Sequence, residues 1–373
     1  MRVFELERYF SRYEFQAKYL LSASDCEPLS LSRLLESARP ETLKRWENLR
    51  FNYTETMGDP QLREEIAALY QTLSPEQIQI LAPSEGIYIA ISTMLRKSER
   101  FIALLPAYQS LYEIGTSSGC KLDPVLLEAR EGRWHLDLER LKRQITPRTR
   151  LLVLNFPHNP TGYLPSRAEL DEILEIARKN NLLIFSDEMY RPLSYRAEDT
   201  LPSLADLYEG AVVLSGVSKT HSLPGLRIGW LATRHAALMK NFRIFRDYTT
   251  ICSSAPSEIL ALMGLQNGKT RVEENQRRLG TNMALARDFC LRHGDLFEWL
   301  PPGGSSVAFP RWKGETSIAE IADRLISETG VMLLPGTVFD EGGQHLRLGL
   351  GRNNFPEALA VFEKWLKHKK ISD

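Results

Sequence analysis

The chain has 373 residues, of which 43% are hydrophobic and 25% charged, and its 47 Lys and Arg residues balance its 47 Asp and Glu residues. A chain of this length exceeds one ordinary core, so we expect a soluble protein with two domains or one large α/β unit. The zero net charge gives no support to a nucleic-acid-binding surface or a polybasic membrane patch.

The N-terminus and the cysteines indicate the compartment. Residues 1–15 mix charged and aromatic side chains without the apolar core of a signal peptide, and no apolar run is long enough to span a bilayer. The four cysteines lie far apart and are most simply free thiols in a reducing compartment. No His, Cys and carboxylate group has metal-ligand spacing. We therefore expect a cytoplasmic protein with no metal, nucleic-acid or membrane partner.

The first sixty residues contain aromatic and polar segments. Residues 1–20 predict an aromatic-rich amphipathic helix, an N-terminal arm of a kind that docks on a neighbouring domain or subunit. A short helix is predicted over 29–38. Another is predicted over 61–70, with Asp59 as its N-cap and Pro60 at its first position.

From residue 77 onward, short apolar runs alternate with segments of helical periodicity. The predicted strands are 78–82, 101–105, 150–156, 182–186, 211–214 and 228–232, and the helices between them are 87–96, 109–118 and 166–179. Such alternation predicts a mostly parallel sheet with helices on both faces. Ligands of open α/β sheets bind beyond the carboxyl ends of the strands.

A different pattern follows residue 256. Helices are predicted over 257–266, 271–292, 318–328 and 356–369, and strands over 306–310, 331–335 and 345–350. We interpret this part as a smaller α+β domain that the N-terminal segment joins. The predicted division is a large α/β domain over 45–265 and a small domain made of 1–44 and 266–373.

A lysine and an arginine stand beside the last two predicted strands of the large domain. Lys219 follows strand 211–214 after a turn of small residues, and Arg227 precedes strand 228–232. A shielded lysine can lose its charge and attack a carbonyl to form an imine, and an arginine can bind a phosphate through two N–H groups. Together they suit pyridoxal 5'-phosphate (PLP). Taken alone, the pair is more typical of a solvated loop, so the rest of the chain decides.

Three residues after other strands suit the ring of PLP. Asp187 follows strand 182–186, and an ionised carboxylate beside the ring nitrogen keeps it protonated, which makes the ring an electron sink. Tyr190 and Asn159 could both donate to the phenolic oxygen of the ring. The structural alternatives are a helix N-cap for Asp187 and an Asn-Pro turn for Asn159.

The phosphate of PLP needs backbone N–H groups at the start of a helix. The turn before helix 87–96 offers them at Ser84 and Glu85, and Ser218 could add a hydroxyl beside Arg227.

Two more side chains are candidates for ligand contacts. Tyr108 could stack on the pyridine ring or be a core aromatic residue. Arg347 alternates with apolar residues in a predicted strand and could bind the α-carboxylate of an amino acid or form a structural ion pair.

These motifs stand in an order and spacing that resemble the class I/II aminotransferase family, the fold-type I group of PLP enzymes. They are Asn155 to Gly162, Ser186 to Tyr190, Ser218-Lys219 followed by Arg227 to Trp230, and Arg347. The resemblance implies an α/β fold-type I homodimer with its active sites at the subunit interface. It also implies that Lys219 forms the Schiff base with PLP and shuttles the proton, while Asp187, Asn159 and Tyr190 contact the ring.

The same resemblance implies roles for residues at the rim of the site. Tyr108 stacks on the ring, Arg347 holds the substrate carboxylate together with Asn159, and Tyr53 reaches the phosphate of the neighbouring subunit. As in some relatives, a cis peptide bond is expected at Asn159–Pro160.

The chain departs from the family pattern in two loops. Gly216 stands where many relatives have a serine or threonine, so we expect the phosphate to depend more on Ser218 and Ser84. The loop that often carries a substrate-facing glycine contains Asp25 and Glu27, which could suit a cationic side chain or contact only water.

The predicted function is transfer of an amino group between an amino acid and a 2-oxo acid, in amino-acid metabolism. Four loops are also similar to those of the capreomycidine synthase kind of PLP enzyme, which dehydrates and cyclises an arginine derivative: Ser24 to Glu27, Phe156 to Pro160, Leu223 to Arg227 and Arg246 to Tyr248. The alternative function is therefore a PLP-dependent lyase or cyclase that acts on an amino acid. We expect neither a PLP-sensing regulator, which predicts an N-terminal helix-turn-helix domain, nor a dinucleotide-binding enzyme, which predicts G-x-G-x-x-G after the first strand.

Overall fold

Strands and helices alternate along most of the chain in the computed structural model, which describes residues 1–340 and 344–369. The strands are β1 (Tyr19–Leu20), β2 (Ile78–Leu81), β3 (Arg100–Leu105), β4 (Lys121–Arg130), β5 (Arg133–Leu136), β6 (Thr149–Asn155), β7 (Leu183–Asp187), β8 (Ala211–Gly216), β9 (Gly229–Ala232), β10 (Phe297–Glu298), β11 (Val307–Ala308), β12 (Arg311–Trp312), β13 (Val331–Met332), β14 (Leu334–Pro335) and β15 (Leu346–Gly349). The helices are α1 (Glu5–Tyr13), α2 (Leu31–Glu36), α3 (Pro40–Glu47), α4 (Pro60–Ala67), α5 (Pro83–Met94), α6 (Ser110–Ser117), α7 (Leu138–Gln144), α8 (Arg167–Lys179), α9 (Leu204–Leu207), α10 (Ala236–Arg246), α11 (Ala255–Gln266), α12 (Gly268–Arg292), α13 (Ile318–Thr329) and α14 (Phe355–Lys369).

A mixed sheet of eight strands, in the order β2-β9-β8-β7-β6-β3-β4-β5, forms the centre of the molecule. The five strands from β8 to β4 pair in parallel, whereas β9 is antiparallel to both of its neighbours. Hydrophobic side chains of β6, β7 and β8 are buried on both faces, as expected where helices cover both sides of a parallel sheet. The prediction of a mostly parallel α/β sheet is confirmed. The β4–β5 hairpin was missed because Asp123, Pro124 and Glu128 interrupt the apolar pattern of β4.

The register of the central strands brings several chain segments to one edge of the sheet. Asp187 at the end of β7 pairs with Asn155 at the end of β6 and with Leu214 in β8. Because β9 runs in the opposite direction, its first residue, Gly229, pairs with Gly216 at the end of β8. Residues that follow β6, β7 and β8 therefore meet residues that precede β9.

Smaller sheets and long helices form the remainder of the chain. β11, β15 and β14 make an antiparallel sheet, β10 pairs with β12, and β1 pairs in parallel with β13. Large buried side chains such as Phe289, Trp312 and Phe362 form a second hydrophobic cluster here. The domain boundary expected between residues 265 and 266 falls at the end of α11 and stays a prediction.

The helix of the N-terminal arm is shorter than the one predicted over residues 1–20. Helix α1 ends at Tyr13, and residues 19–20 are extended and pair with β13. Phe4 and Phe10 pack against the core, whereas Phe15 is 91% exposed. The arm docks on its own chain: the Arg2 guanidinium binds the Glu113 carboxylate at 2.9 Å and the Asp340 carboxylate at 2.7 Å.

Local signals set the starts of two helices near the site. The Asp59 carboxylate accepts a hydrogen bond from the Leu62 N–H at 3.0 Å, which confirms the predicted cap of α4. Helix α5 begins at Pro83, four residues earlier than predicted, so that the expected turn is its first helical turn.

No helix among the described residues is long and apolar enough to cross a membrane.

Candidate active site

A cavity of about 750 Å³ opens at the carboxyl edge of the central sheet. Nine of the predicted site residues line it: Ser84, Tyr108, Asn159, Asp187, Tyr190, Ser218, Lys219, Arg227 and Arg347. Glu85 and Tyr53 do not line it. The opposite wall consists of side chains from α1, which were not predicted to line the site, and from the segment that follows β1, of whose lining residues only Asp25 had been considered for a ligand contact.

The amine of Lys219 lies at the centre of this arrangement. Its Nζ donates a hydrogen bond to the Ser24 Oγ at 2.9 Å. Burial lowers the pKa of the Lys219 ammonium, and the nearby Asp25 carboxylate opposes this shift. A lysine that loses its proton more easily is more often in the neutral form, which is the form that acts as a nucleophile and base. Sequence reasoning assigned no role to Ser24, whose one signal was its position in a loop that departs from the family pattern.

The Asp187 side chain is 8% exposed at the end of β7. Burial raises the pKa of this carboxyl to about 6, although the Met189 N–H, which donates to Oδ1 at 3.1 Å, and the charge of Lys219 lower it. A carboxylate at such a buried place is unfavourable unless a positive group adjoins it. The protonated ring nitrogen of PLP is a group of that kind.

Asn159 and Arg347 form a buried pair beside Lys219. Arg347 is 1% exposed; its Nη1 donates to the Asn159 Oδ1 at 3.1 Å, and its Nε and Nη2 donate to the Ser22 carbonyl at 3.1 and 2.9 Å. Because the Asn159 oxygen accepts from Arg347, its amide NH₂ is left to donate elsewhere. Burial lowers the pKa of Arg347 to about 10, so its guanidinium stays charged at neutral pH. The Asn159–Pro160 peptide bond is cis, as expected.

Three residues that line the cavity suit a phosphate. The Ser218 Oγ is buried and has no hydrogen-bond partner among the described residues, and its side chain is only 3% exposed. Arg227 is exposed and adopts a left-handed backbone conformation, with φ of 56°, just before β9. Ser84 lies in the first turn of α5, where backbone N–H groups are unpaired within the helix. An unpaired hydroxyl, a guanidinium and a helix start fit the phosphate of PLP.

Gly216 departs from the family pattern for a steric reason. A Cβ atom at this position would lie 3.0 Å from the Gly229 Cα and from the Ile228 carbonyl oxygen. The close pairing of β8 with β9 therefore leaves little room for the serine or threonine of many relatives.

Two predicted contacts lie outside the cavity of this chain. The Glu85 carboxylate accepts hydrogen bonds from the hydroxyls of Thr249 and Thr250 at 2.6 and 2.7 Å, so only its backbone N–H remains for a phosphate. Tyr53 is 90% exposed. The phosphate contact that the family resemblance implies for Tyr53 involves a second subunit and stays a prediction.

Helix α1 forms the opposite wall of the cavity. The Tyr108 hydroxyl donates to the Glu7 Oε1 at 2.8 Å, and the Tyr108 ring lies 5.0 Å from the Phe4 ring. The Phe10 ring lies 5.7 Å from the guanidinium carbon of Arg347. Sequence reasoning missed this wall, because an amphipathic pattern predicts that a helix packs but not on what it packs.

The segment after β1 approaches β15 closely. A Cβ atom on Gly349 would collide with the Ala23 carbonyl, so a glycine is needed there. Asp25 lines the cavity but is paired with Arg352, whose Nη2 lies 3.0 and 3.1 Å from the two carboxylate oxygens. Glu27 accepts a hydrogen bond from the Asn353 N–H and does not line the cavity.

The chain matches the family model for aminotransferase class I and II over residues 17–358. It is 27% identical to capreomycidine synthase of Streptomyces vinaceus over 350 residues, which are 93% of this chain and 88% of the relative. It is 28% identical to aromatic-amino-acid aminotransferase 2 of Thermococcus litoralis over 336 residues, which are 86% of this chain and 85% of the relative. A crystal structure of a PLP-dependent aminotransferase from Streptococcus suis is 29% identical and superposes with a TM-score of 0.92 over 98% of each chain.

The chemistry of the cavity and the matches agree. Among the described residues no cluster of His, Cys, Asp and Glu could hold a metal ion, whereas the lysine, the buried carboxylate and the phosphate-binding groups fit PLP. A family model that covers most of the chain therefore shows that it belongs to the class I and II aminotransferases, fold-type I enzymes whose cofactor is PLP.

Proposed function

We propose that this protein is an aminotransferase that transfers an amino group between an amino acid and a 2-oxo acid. The observation that carries the proposal is that one cavity contains the Lys219 amine, the buried Asp187 carboxylate and the buried Arg347 guanidinium. Bound PLP draws electrons from the Cα atom of the amino acid and makes its proton acidic. The protein must then hold the substrate and move that proton.

Lys219 is assigned the proton transfer at Cα. Its amine can take a proton and return it at another atom because burial lowers its pKa. The hydrogen bond to the Ser24 Oγ holds the amine on the cavity wall. Ser24 is thus a positioning residue for the lysine.

Three polar side chains are assigned to the ring of the cofactor. The Asp187 carboxylate would keep a proton on the ring nitrogen, and the Asn159 amide and the Tyr190 hydroxyl would donate to the phenolic oxygen. Support for Asn159 comes from its bond with Arg347, which leaves the amide NH₂ as the donor. Tyr108 is assigned to contact with the ring face.

The remaining assignments concern the charged ends of cofactor and substrate. Ser218, Arg227 and the start of α5, at Ser84 and Glu85, would hold the phosphate. Arg347 would bind the α-carboxylate of the amino acid. A guanidinium has five N–H donors, and the bonds to Ser22 and Asn159 use three of them.

A homodimer belongs to the same proposal. The exposed side chains of Phe51, Tyr53, Tyr248 and Ile251 belong to two segments that the Thr54 hydroxyl joins by donating to the Ser253 carbonyl at 3.1 Å. Exposed aromatic side chains in adjoining segments are typical of protein interfaces. We propose that a second copy covers them and that Tyr53 reaches its phosphate site. Light scattering of the purified protein measures the subunit number.

We also propose a cytoplasmic location. The four cysteines are unpaired, which is usual for proteins of reducing compartments.

The test is a two-step assay of the purified protein loaded with PLP. A single amino acid is added without an acceptor, and the absorbance of the bound cofactor is recorded; a 2-oxo acid is then added. We expect a lasting absorbance change that the 2-oxo acid reverses, with the new amino acid detected by chromatography. If no amino acid gives transfer to any 2-oxo acid, the proposal is wrong.

The similarity to capreomycidine synthase supports the second candidate, a PLP-dependent lyase or cyclase. That activity depends on the same lysine, aspartate and arginine. It predicts release of ammonia or a cyclised product from the amino acid alone, without transfer to a 2-oxo acid. The same samples therefore distinguish the two functions.

A further inference from the structure

Helix α1 and its C-terminal cap residue, Glu14, present two carboxylates to the cavity. Glu7, Phe10 and Glu14 follow each other at spacings of three and four residues, so they lie on one face of the helix, and all three line the cavity. The inward face of an amphipathic helix is normally apolar. Charged residues on this face therefore call for a binding partner inside the cavity.

The other charged groups of the cavity already have partners or assignments. Asp25 is paired with Arg352. The groups assigned to cofactor and α-carboxylate under the proposed function are Asp187, Lys219, Arg227 and Arg347. The two carboxylates of α1 remain. No salt bridge joins Glu7 or Glu14 to a cation within the described part of the chain, and the hydrogen-bond partner of Glu7 is the neutral Tyr108 hydroxyl.

Two observations that do not involve these carboxylates also indicate that the cavity binds a ligand. The Ser218 Oγ lines it, is buried and lacks a partner among residues 1–340 and 344–369. Arg347 lines it as well, although a buried guanidinium is unfavourable without an anion. Burial and the neighbouring Asp25 carboxylate raise the pKa of Glu14, although the charges of Arg352 and Lys219 oppose this shift.

We propose that Glu7 and Glu14 bind the side chain of the amino donor and that this side chain is cationic, an ammonium or a guanidinium. The inference rests on the proposed function, because Arg347 must hold the α-carboxylate for the side chain to reach α1. A donor with a second carboxylate would meet two like charges. An apolar donor would leave both carboxylates without a partner in a partly desolvated place.

The test is calorimetric binding to the PLP-loaded protein without a 2-oxo acid. The ligands are L-lysine, L-ornithine and L-arginine, with L-norleucine and L-glutamate for comparison. A charge-assisted hydrogen bond corresponds to a factor of about 10 to 100 in affinity. We therefore expect at least one cationic amino acid to bind about tenfold or more tightly than norleucine. Equal or tighter binding of norleucine or glutamate would overturn the inference.

Single variants show whether the two carboxylates cause the preference. Glu7→Gln keeps an acceptor for the Tyr108 hydroxyl, and Glu14→Gln changes a half-buried side chain at the helix end. Each should weaken binding of the cationic donor about tenfold and leave norleucine unchanged. The matched control is Glu5→Gln, which removes an exposed carboxylate of the same helix that does not line the cavity. An equal loss for norleucine would contradict direct recognition.

A charge reversal and a transfer assay complete the test. Glu14→Lys should shift the preference toward L-glutamate, and a variant that still prefers cationic donors would refute the role of Glu14. Amino transfer without any preference for cationic donors would refute this inference and leave the proposed function intact. Preferential binding of cationic donors without transfer to a 2-oxo acid would refute the proposed function and leave this inference intact.

Discussion

The two walls of the cavity are held in place in different ways. On the sheet wall, Asp187 is the last residue of the buried strand β7, and Lys219 follows the buried strand β8 by three residues, so the backbone pairing of these strands places both near one edge. On the arm wall, α1 is held by side-chain bonds, such as those of Arg2 with Glu113 and of Tyr108 with Glu7, and the carboxylates of Glu7 and Glu14 that face the cavity are half exposed.

This difference indicates that the two walls have separate roles, one in binding the cofactor and the other in recognising the substrate. Buried groups in fixed register suit the charges of a cofactor that is the same in every turnover. A segment that side chains hold at the rim of a scaffold is the usual place for contacts that vary with the substrate. Changes in the sheet wall should therefore affect all donors, and changes in the arm wall should discriminate between them.

The largest effect is expected from Lys219→Ala. Because no other lysine of the described residues lines the cavity to transfer a proton at Cα, turnover should fall by at least about 10⁴-fold for every donor. Rates of amino transfer with several donors measure the loss. Lys121→Ala, at an exposed lysine of β4, is the control and should keep the wild-type rate. Activity of the Lys219 variant within tenfold of wild type would exclude the assigned role.

The second change, Asp187→Asn, should lower kcat about 10²- to 10³-fold for all donors, since a neutral amide does not keep the ring nitrogen protonated. Steady-state kinetics measures it. A fall confined to cationic donors would contradict the division between the two walls.

The same substitution should also change the stability of the cofactor-free protein. The pKa of Asp187 is raised from 3.8 to about 6 on folding, so the folded protein binds the proton more tightly than the unfolded chain. Stability therefore falls as the pH rises from about 4 to about 6 and stays lower above that range. The Asn variant avoids this loss and should be more stable at pH 7 by up to about 3 kcal/mol.

Urea unfolding of both cofactor-free proteins between pH 4 and pH 7 measures this difference. The buried Glu258, whose pKa burial raises to about 7, titrates in both proteins, so their difference isolates Asp187. A difference that does not depend on pH would show that the carboxyl is not the group responsible.

Arg347→Ala should have a smaller effect, mainly on KM. Loss of a charge-assisted contact with the α-carboxylate should raise KM about 10- to 100-fold for all donors and change kcat less. Kinetics with a cationic and an apolar donor measures this, and Arg347→Lys, which keeps the charge, should recover part of the loss. A rise in KM for only one donor would place Arg347 with the specificity residues.

The sheet wall could be predicted from the sequence, and the arm wall could not. Alternating strands and helices imply that residues after successive strands share an edge, so Asn159, Asp187 and Lys219 could be brought together without coordinates. Arg227 precedes its strand, so it lies at the same edge only because β9 is antiparallel to β8. The spacing of residues in the sequence does not reveal that direction. The cis bond at Asn159–Pro160 was expected from the family resemblance.

The arm wall depends on contacts between residues far apart in the chain. The Tyr108–Glu7 hydrogen bond spans 101 positions, and the Lys219–Ser24 bond spans 195. No periodicity encodes such pairs. Glu7 and Glu14 did share a helix face with Phe10 in the sequence, but an acidic residue on a predicted helix is ordinarily solvated.

The smallest effect is expected at the start of the arm. Arg2→Ala removes the ion pairs with Glu113 and Asp340, but the Arg2 side chain is 55% exposed, so each pair contributes at most about 1 kcal/mol. The arm should open more often while the sheet wall stays intact. We expect a two- to threefold rise in KM, an unchanged kcat, and faster hydrogen exchange confined to α1.

Arg8→Ala, at an exposed position of the same helix that does not line the cavity, is the matched control and should change neither KM nor exchange. If Arg2→Ala lowered kcat as strongly as Asp187→Asn, the arm would be part of the catalytic machinery. The two walls would then differ in how they are held but not in what they do. A small rise in KM, larger for cationic than for apolar donors, is the outcome that separates them, because opening the arm withdraws Glu7 and leaves Lys219 in place.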